Sequence, residues 1–359
     1  MFQYLIVVEP LGLLYGSAGG FLSPENLVGR SGASFPPSAA ALSGLVAAQY
    51  AEQYPDPQDL RAAIGALKLA GPFWAKSEMP QNWYVPTPLN CLTTWQNPMP
   101  DPGEFRVGKI TGLLHYSDSS WKIQQGERSG GKSDRNSWVA IADWSKLQSG
   151  AIAAVSVHEN QWKFLPHLHP ELQADQRHTV SGRLFLENSV QLHPEACLIY
   201  LANLEIPSGW YRFGGEGHLV NVRCEALNTA TRELLDRPVD RSFALITPAV
   251  WGSNRLSYRR APAWGKGVAL LTERPSPFRY RFGGADHKKP KRLSRGRYAV
   301  PAGTVYITPT PLPAWHRWPD DWFPQEGVYL NRWGCGLALP FPIALAATAS
   351  TTEPTSGVA

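Results

Sequence analysis

The sequence predicts an α+β fold rich in short strands, and three observations predict it. Helices are few, with two stretches near the N-terminus carrying helix-start signals followed by a helical run. Many short apolar or alternating runs recur along the rest of the chain, as strands do. Gly and Pro, at 32 residues each, separate these runs with turns and long loops.

Phe2–Glu9 is an apolar run of strand length. It has no basic segment before it and runs into Glu9-Pro10, so it reads as a buried strand and not as a signal peptide. A Gly-rich loop, Leu11–Ser34, leads to Phe35-Pro36-Pro37-Ser38. The prolines fix the chain entry there, and Ser38 can cap a helix over Ala39–Gln53. A second helix is predicted over Pro57–Leu69, with Asp56 as cap and Pro57 at the first helical position. Gly71–Gly103, rich in Pro, Trp and Asn, reads as irregular. Phe105–Gly150 is polar and glycine-punctuated, with alternating pieces such as Trp138–Ile141, and reads as an insertion or a projecting hairpin.

Strands follow at Val155–His158, Thr179–Glu187, Cys197–Leu204 and His218–Glu225. A boundary near Leu234–Asp240 divides the chain into residues 1–235, with the insertion at about 105–150, and residues 236–345. The second part holds strands at Phe243–Thr247, Val268–Thr272, Tyr298–Val300 and Val305–Thr308, and closes at Trp333-Gly334-Cys335-Gly336. Residues 346–359 have the composition of a disordered tail. Leu337–Ala347 contains Pro340 and Pro342 and is too short to span a bilayer, so no membrane is expected and the cytoplasm is the expected location.

With 359 residues, 43% hydrophobic and 18% charged, the chain is long enough for two packed domains of ~150 residues and is not of disordered composition. The fourteen tryptophans are expected mostly in the core. The net charge is +5, but Arg255–Arg297 holds thirteen Lys/Arg against Glu273 and Asp286, so this stretch carries +11 and the remainder −6. Such a segment suits a polyanion partner; a solvated loop is the plainer reading. Cys91, Cys197, Cys224 and Cys335 are widely spaced among apolar neighbours, so buried thiols are expected and not disulfides or zinc ligands.

Gly126-Glu127-Arg128-Ser129-Gly130-Gly131-Lys132-Ser133 matches the phosphate-loop pattern GxxxxGK[ST]. The pattern works where a buried strand leads in and a helix N-terminus receives the phosphates. Here the lead-in Ser119–Gln125 is polar and Asp134-Arg135-Asn136-Ser137 is a poor helix start, so a polar loop is expected and an NTPase is the weaker alternative. His167, His169, His178 and His193 fall in one stretch, with His167-x-His169 read as a loop before Pro170. No HExxH or HD pair accompanies them, so neither metal nor other cofactor is expected. A metal-independent ribonuclease using a histidine stays open as an alternative, since general acid–base cleavage needs only one such group beside a 2′-hydroxyl.

Four segments in order carry a resemblance: Phe21–Pro24 with Gly29–Ser38 and the helix starting at Ala39; Tyr211-Arg212-Phe213-Gly214-Gly215-Glu216-Gly217-His218; Arg297–Tyr306; and Asn331–Pro340. Together they resemble the RAMP-superfamily subunit of the type III-B CRISPR (Cmr) effector complex that caps the 5′ tag of the guide RNA. The likeness spans about Tyr4 to Pro340. It implies two ferredoxin-like (RRM-like) RAMP domains with long loop insertions and no catalytic centre. It implies as partners the guide RNA, the large polymerase/cyclase-like subunit and the first backbone subunit.

The residue chemistry points the same way. Bare glycine turns let backbone N–H groups approach phosphate oxygens. Gly214, Gly215 and Gly217, and Gly334 and Gly336, are therefore backbone-contact candidates, although a tight hairpin explains such turns without a ligand. Arg212 and Arg332 beside them can pair with phosphates, and Trp333 can stack on a base. Arg30, with Ser34 and Ser38 at the helix start, can hold a phosphate, although plain capping explains the serines equally well. Lys288, Lys289, Lys291, Arg292 and Arg295 can track the RNA backbone or meet a partner's acidic surface. The resemblance implies a cation after the middle turn, where this sequence has His218, which is charged only when protonated.

Overall fold

A computed structural model of the chain describes residues 1–15, 35–96, 105–123, 131–134, 136–173, 178–214, 217–253, 255–282 and 293–343. Its backbone is an antiparallel sheet of eleven strands. Ten lie in the order Gly209–Phe213, His218–Ala226, Tyr4–Pro10, Ala196–Ala202, Leu69–Lys76, Tyr84–Pro86, Trp138–Ala140, Ser156–His158, Val107–Ser117 and Cys91–Trp95. Ser120–Ile123 pairs back on Val107–Ser117. The fold is thus the strand-rich α+β class that the sequence predicts.

The first strand shows why its sequence is apolar throughout. Leu5 and Val7 join one core, and Ile6 and Val8 join another on the opposite face, so both faces are covered. One cover is helix α1, Ala39–Gln53, which buries Ala39, Leu42, Leu45 and Val46. Helix α2, Pro57–Ile64, follows, with Asp56 Oδ1 accepting the N–H groups of Gln58 at 2.7 Å and Asp59 at 3.3 Å. It ends earlier than the sequence suggests because Leu69 already belongs to a strand. The other cover is the four-stranded sheet of the second half, in the order Ala269–Leu271, Val305–Leu312, Asp240–Leu245 and Ala338–Pro340. One core runs from Leu5, Phe73 and Ile199 through Phe243, Trp251, Trp264 and Leu339 without a break between the halves.

Two expectations need correction. Gly71–Gly103 is not irregular: Leu69–Lys76 is a central strand, and Tyr84–Pro86 and Cys91–Trp95 are strands as well. Phe73 faces Ile199 and Ala70 faces Leu201, so Gly71 and Pro72 together oppose Tyr200 in a bulge. A proline is tolerated there because the bulge leaves a donor unpaired in any case. His167 and His169 lie in the strand Trp162–Leu172 and not in a loop. That strand and Thr179–Leu192 form a long hairpin which, with Leu14–Tyr15, makes its own three-stranded sheet.

Residues 105–150, expected as an insertion or a projecting hairpin, supply strands to the main sheet and bury Val139 and Trp144 completely. Trp121 Nε1 donates to Leu270 O at 3.2 Å, which ties the Val107–Ile123 hairpin to the second half. Among the described residues, no helix is long and apolar enough to cross a membrane.

Candidate nucleic-acid interface

Most of the tryptophans are interior, as expected. Trp74, Trp83, Trp138, Trp144, Trp251, Trp264, Trp315 and Trp318 are buried, and five others are partly so. Trp210 is the exception, with 73% of its surface open to solvent. It lies on the edge strand Gly209–Phe213, where alternation puts Tyr211 and Phe213 against the helix-covered core and turns Trp210 and Arg212 outward together.

The neighbouring strand His218–Ala226 extends this outer face. Leu219 lies opposite Arg212, and Asn221 lies opposite Trp210. Farther in, Glu9 accepts from Asn221 Nδ2 at 2.9 Å and from Arg223 Nη2 at 3.1 Å, which neutralises Arg223. Among the described residues, no carboxylate lies within 4 Å of Arg212, which stands at the tip of this face.

That tip is the glycine turn. Gly214 and Gly217 both have positive φ, +76° and +69°, and the Gly217 N–H donates to Gly214 O at 3.3 Å. A Cβ built on Gly217 would lie 3.7 Å from Arg212 Nη1, so the guanidinium lies over the turn. A Cβ on Gly214 would meet nothing within 4 Å, so the conformation and not crowding demands glycine there. Backbone, guanidinium and exposed indole thus meet within one hairpin. This is a surface able to hold a phosphate and stack a base. Gly215 lies outside the described residues. His218 pairs with Phe213, so the register turns it to the face opposite Trp210 and Arg212.

The second glycine turn has a different setting. Gly334 and Gly336 are buried, and their N–H groups donate to Asn331 O at 3.0 Å and Pro248 O at 2.9 Å. Arg332 donates through Nε to Leu67 O at 3.2 Å and through Nη2 to Gly65 O, covering carbonyls just after α2. Trp333 packs edge-on to Tyr280 at 4.6 Å and touches both cores. These groups join the halves of the molecule.

The two turns are also far apart. Gly334 packs on Ala70, which is level with Leu201 and Leu5, whereas the Gly214–Gly217 turn lies beyond Leu219, level with Leu11. The six residues from Leu5 to Leu11 span ~20 Å of strand.

Ser38 occupies the cap position of α1, but its exposed side chain makes no cap bond. Arg295 is exposed, and its backbone N–H donates to Glu326 Oε1 at 3.0 Å. Arg30, Ser34, Lys288, Lys289, Lys291 and Arg292 lie outside the described residues. In the phosphate-loop match, Lys132 exchanges backbone bonds with Thr93 at 2.9 and 3.1 Å, and the next element is the strand Trp138–Ala140. A Cβ on Gly131 would lie 2.4 Å from Thr111 Oγ1, so that glycine admits a neighbouring strand. Among the described residues, no three His, Cys, Asp or Glu side chains converge as metal ligands.

A strand-rich α+β chain with an exposed aromatic and basic hairpin at a sheet edge is the setting, and the chain is a CRISPR-associated protein. Residues 13–340 match the model of the family described as CRISPR-associated protein (Cas_Cmr3), and the chain belongs to that family. The resemblance read from the sequence is thereby borne out. No curated protein matches the sequence. Among solved structures, one similar chain comes from the type III-B Cmr-beta complex bound to cognate target RNA and AMPPnP, with 9% identity over 84% of this chain and 86% of that one, and a TM-score of 0.49. Another comes from a Csm3–Csm4 subcomplex of the type III-A interference complex, with 11% identity, 87% and 94% coverage and a TM-score of 0.39. A third, from a Csm1–Csm4 cassette with pppApA, has 8% identity, 87% and 88% coverage and a TM-score of 0.39.

Proposed function

We propose that this chain is a non-catalytic RNA-binding scaffold of a type III-B CRISPR interference complex. In this reading it anchors the 5′ repeat-derived tag of the guide RNA and bridges the large polymerase/cyclase-like subunit to the backbone subunits, in the cytoplasm. Its eleven-stranded and four-stranded sheets are then those of two ferredoxin-like RAMP domains, fused through a shared core. Membership of the Cas_Cmr3 family supports the setting. The observation that carries the RNA contact is Trp210, the one fully outward tryptophan, beside Arg212 and a turn held open by two positive-φ glycines.

The indole would stack on a splayed base, while Arg212 and the turn's backbone position a phosphate. In reconstituted protein with tag RNA, Trp210→Ala is expected to weaken binding about tenfold. Arg212→Ala should weaken it across sequences and lower the slope of log K against log salt by about 0.7. Unchanged affinity in both variants overturns the assignment. Site-specific cleavage of repeat RNA by the pure protein without metal, lost in His178→Ala, would overturn the non-catalytic part.

A further inference from the structure

The basic run of the second half begins on a surface that the hairpin reading does not use. Trp251–Gly252 pairs with Ser257–Tyr258 in a short hairpin. A Cβ on Gly252, where φ is +104°, would lie 2.3 Å from Tyr258 Cδ2, so the Tyr258 ring lies over bare glycine backbone. Ser257 Oγ accepts the backbone N–H of Tyr298 at 3.2 Å and ties this hairpin to the strand Arg297–Ala299. Arg297 and Ala299 are buried, so alternation turns Tyr298 outward, opposite exposed Pro277. Tyr258 and Tyr298, on adjoining strands, are 43% and 53% exposed, and Leu256, just before the first of them, is 58% exposed.

Arg255 and Arg259 flank Leu256–Tyr258 in the sequence, and Lys266 and Arg274 follow in the same basic run. Arg255, Arg259, Lys266 and Arg274 are exposed, and among the described residues none has a carboxylate within 4 Å. Between positions 255 and 274 the only acid is Glu273, against five Lys/Arg. A protein partner would need a matching set of carboxylates. A single nucleic-acid strand supplies a charge at every residue and a flat face for each ring.

We propose that this tyrosine–arginine surface is a second platform for single-stranded RNA and takes up the guide strand beyond the segment held at the Trp210 hairpin. The choice of strand rests on the function proposed above: a guide already tethered by its tag meets a second site on the same chain at high effective concentration.

The test uses the full chain and two RNAs, the tag alone and the tag extended at its 3′ end. Tyr258→Ala with Tyr298→Ala is expected to weaken the extended RNA about tenfold or more and to leave the tag alone unchanged. Arg255→Ala with Arg259→Ala, which keeps both rings, should weaken it in the same direction and lower the salt slope by about 1.4. If the extended RNA binds both double variants as tightly as the parent while Trp210→Ala loses it, the platform is overturned and the hairpin stands. Loss in the platform variants with none in Trp210→Ala or Arg212→Ala overturns the hairpin and leaves the platform. Unchanged RNA binding with failed co-assembly makes the surface a protein interface and overturns the proposal. Equal binding of the extension without its tag overturns the assignment to the guide.

Discussion

A methyl group on Gly334 would stand 2.5 Å from the Cα of Ala70, and φ there is +69°. Gly334→Ala therefore forces apart the contact that joins the halves, in addition to an unfavourable backbone, and should cost ~3 kcal/mol or more in chemical denaturation. Gly214 shares the positive φ but would meet no neighbour, so Gly214→Ala should cost only about 1 kcal/mol. In the sequence both glycines stand after an aromatic and look alike. Only their surroundings separate a packing glycine from a turn glycine. A similar contrast holds for Arg297, whose side chain is 3% exposed and pairs with Glu326 at 2.5 Å, within a run otherwise read as a polyanion surface. Arg297→Ala leaves a half-buried carboxylate without its counter-charge and is expected to cost ~3 kcal/mol, whereas Arg255→Ala should be near neutral for stability.

At the scale of elements, the strand Ser156–His158 places a histidine in an aromatic cluster. The His158 ring lies 4.8 Å from Tyr84 and 6.3 Å from Trp74, edge-on to both. Burial, aided by the charge of Lys76, pushes its pKa from 6.5 down to about 4, while Asp143 pulls weakly the other way. The unfolded chain therefore takes up this proton near pH 6.5 and the folded one only near pH 4. The stability that His158 contributes as a neutral group is complete above pH 6.5 and falls as the pH drops through that window, by up to about 3 kcal/mol. Urea midpoints measured from pH 7 to pH 4 should show this fall, and His158→Gln should flatten it.

The elements also show what local signals reach. Helix α1 and the first strand are legible because capping position, prolines and apolar runs are local. Leu69–Lys76 is not, because its Gly71-Pro72 pair is a breaker in sequence and a bulge once Tyr200 lies opposite. The Trp210–Arg212 alternation was available as a signal of period two, but its meaning depends on the strand being at a sheet edge.

For the molecule as a whole, the shared core sets the expectation. Leu5, Phe73 and Ile199 from the first half and Phe243, Trp251 and Leu339 from the second belong to one buried cluster. The chain should unfold in a single cooperative transition, with near-UV and far-UV signals coinciding. A fragment ending at residue 235 would uncover one face of its central strands and should bind a hydrophobic dye or aggregate.

The sequence by itself determined the α+β class, the strand at the N-terminus, the two helices near it, the interior fate of most tryptophans and, through the order of four segments, the family. Each rests on neighbours along the chain or on composition. Tertiary structure alone decided which glycine turn is open and which is buried, that His218 turns away from Arg212, and that the strands carrying Tyr258 and Tyr298 adjoin. Those outcomes depend on strand order and register, which bring residues far apart in sequence onto one face and leave near neighbours on opposite ones.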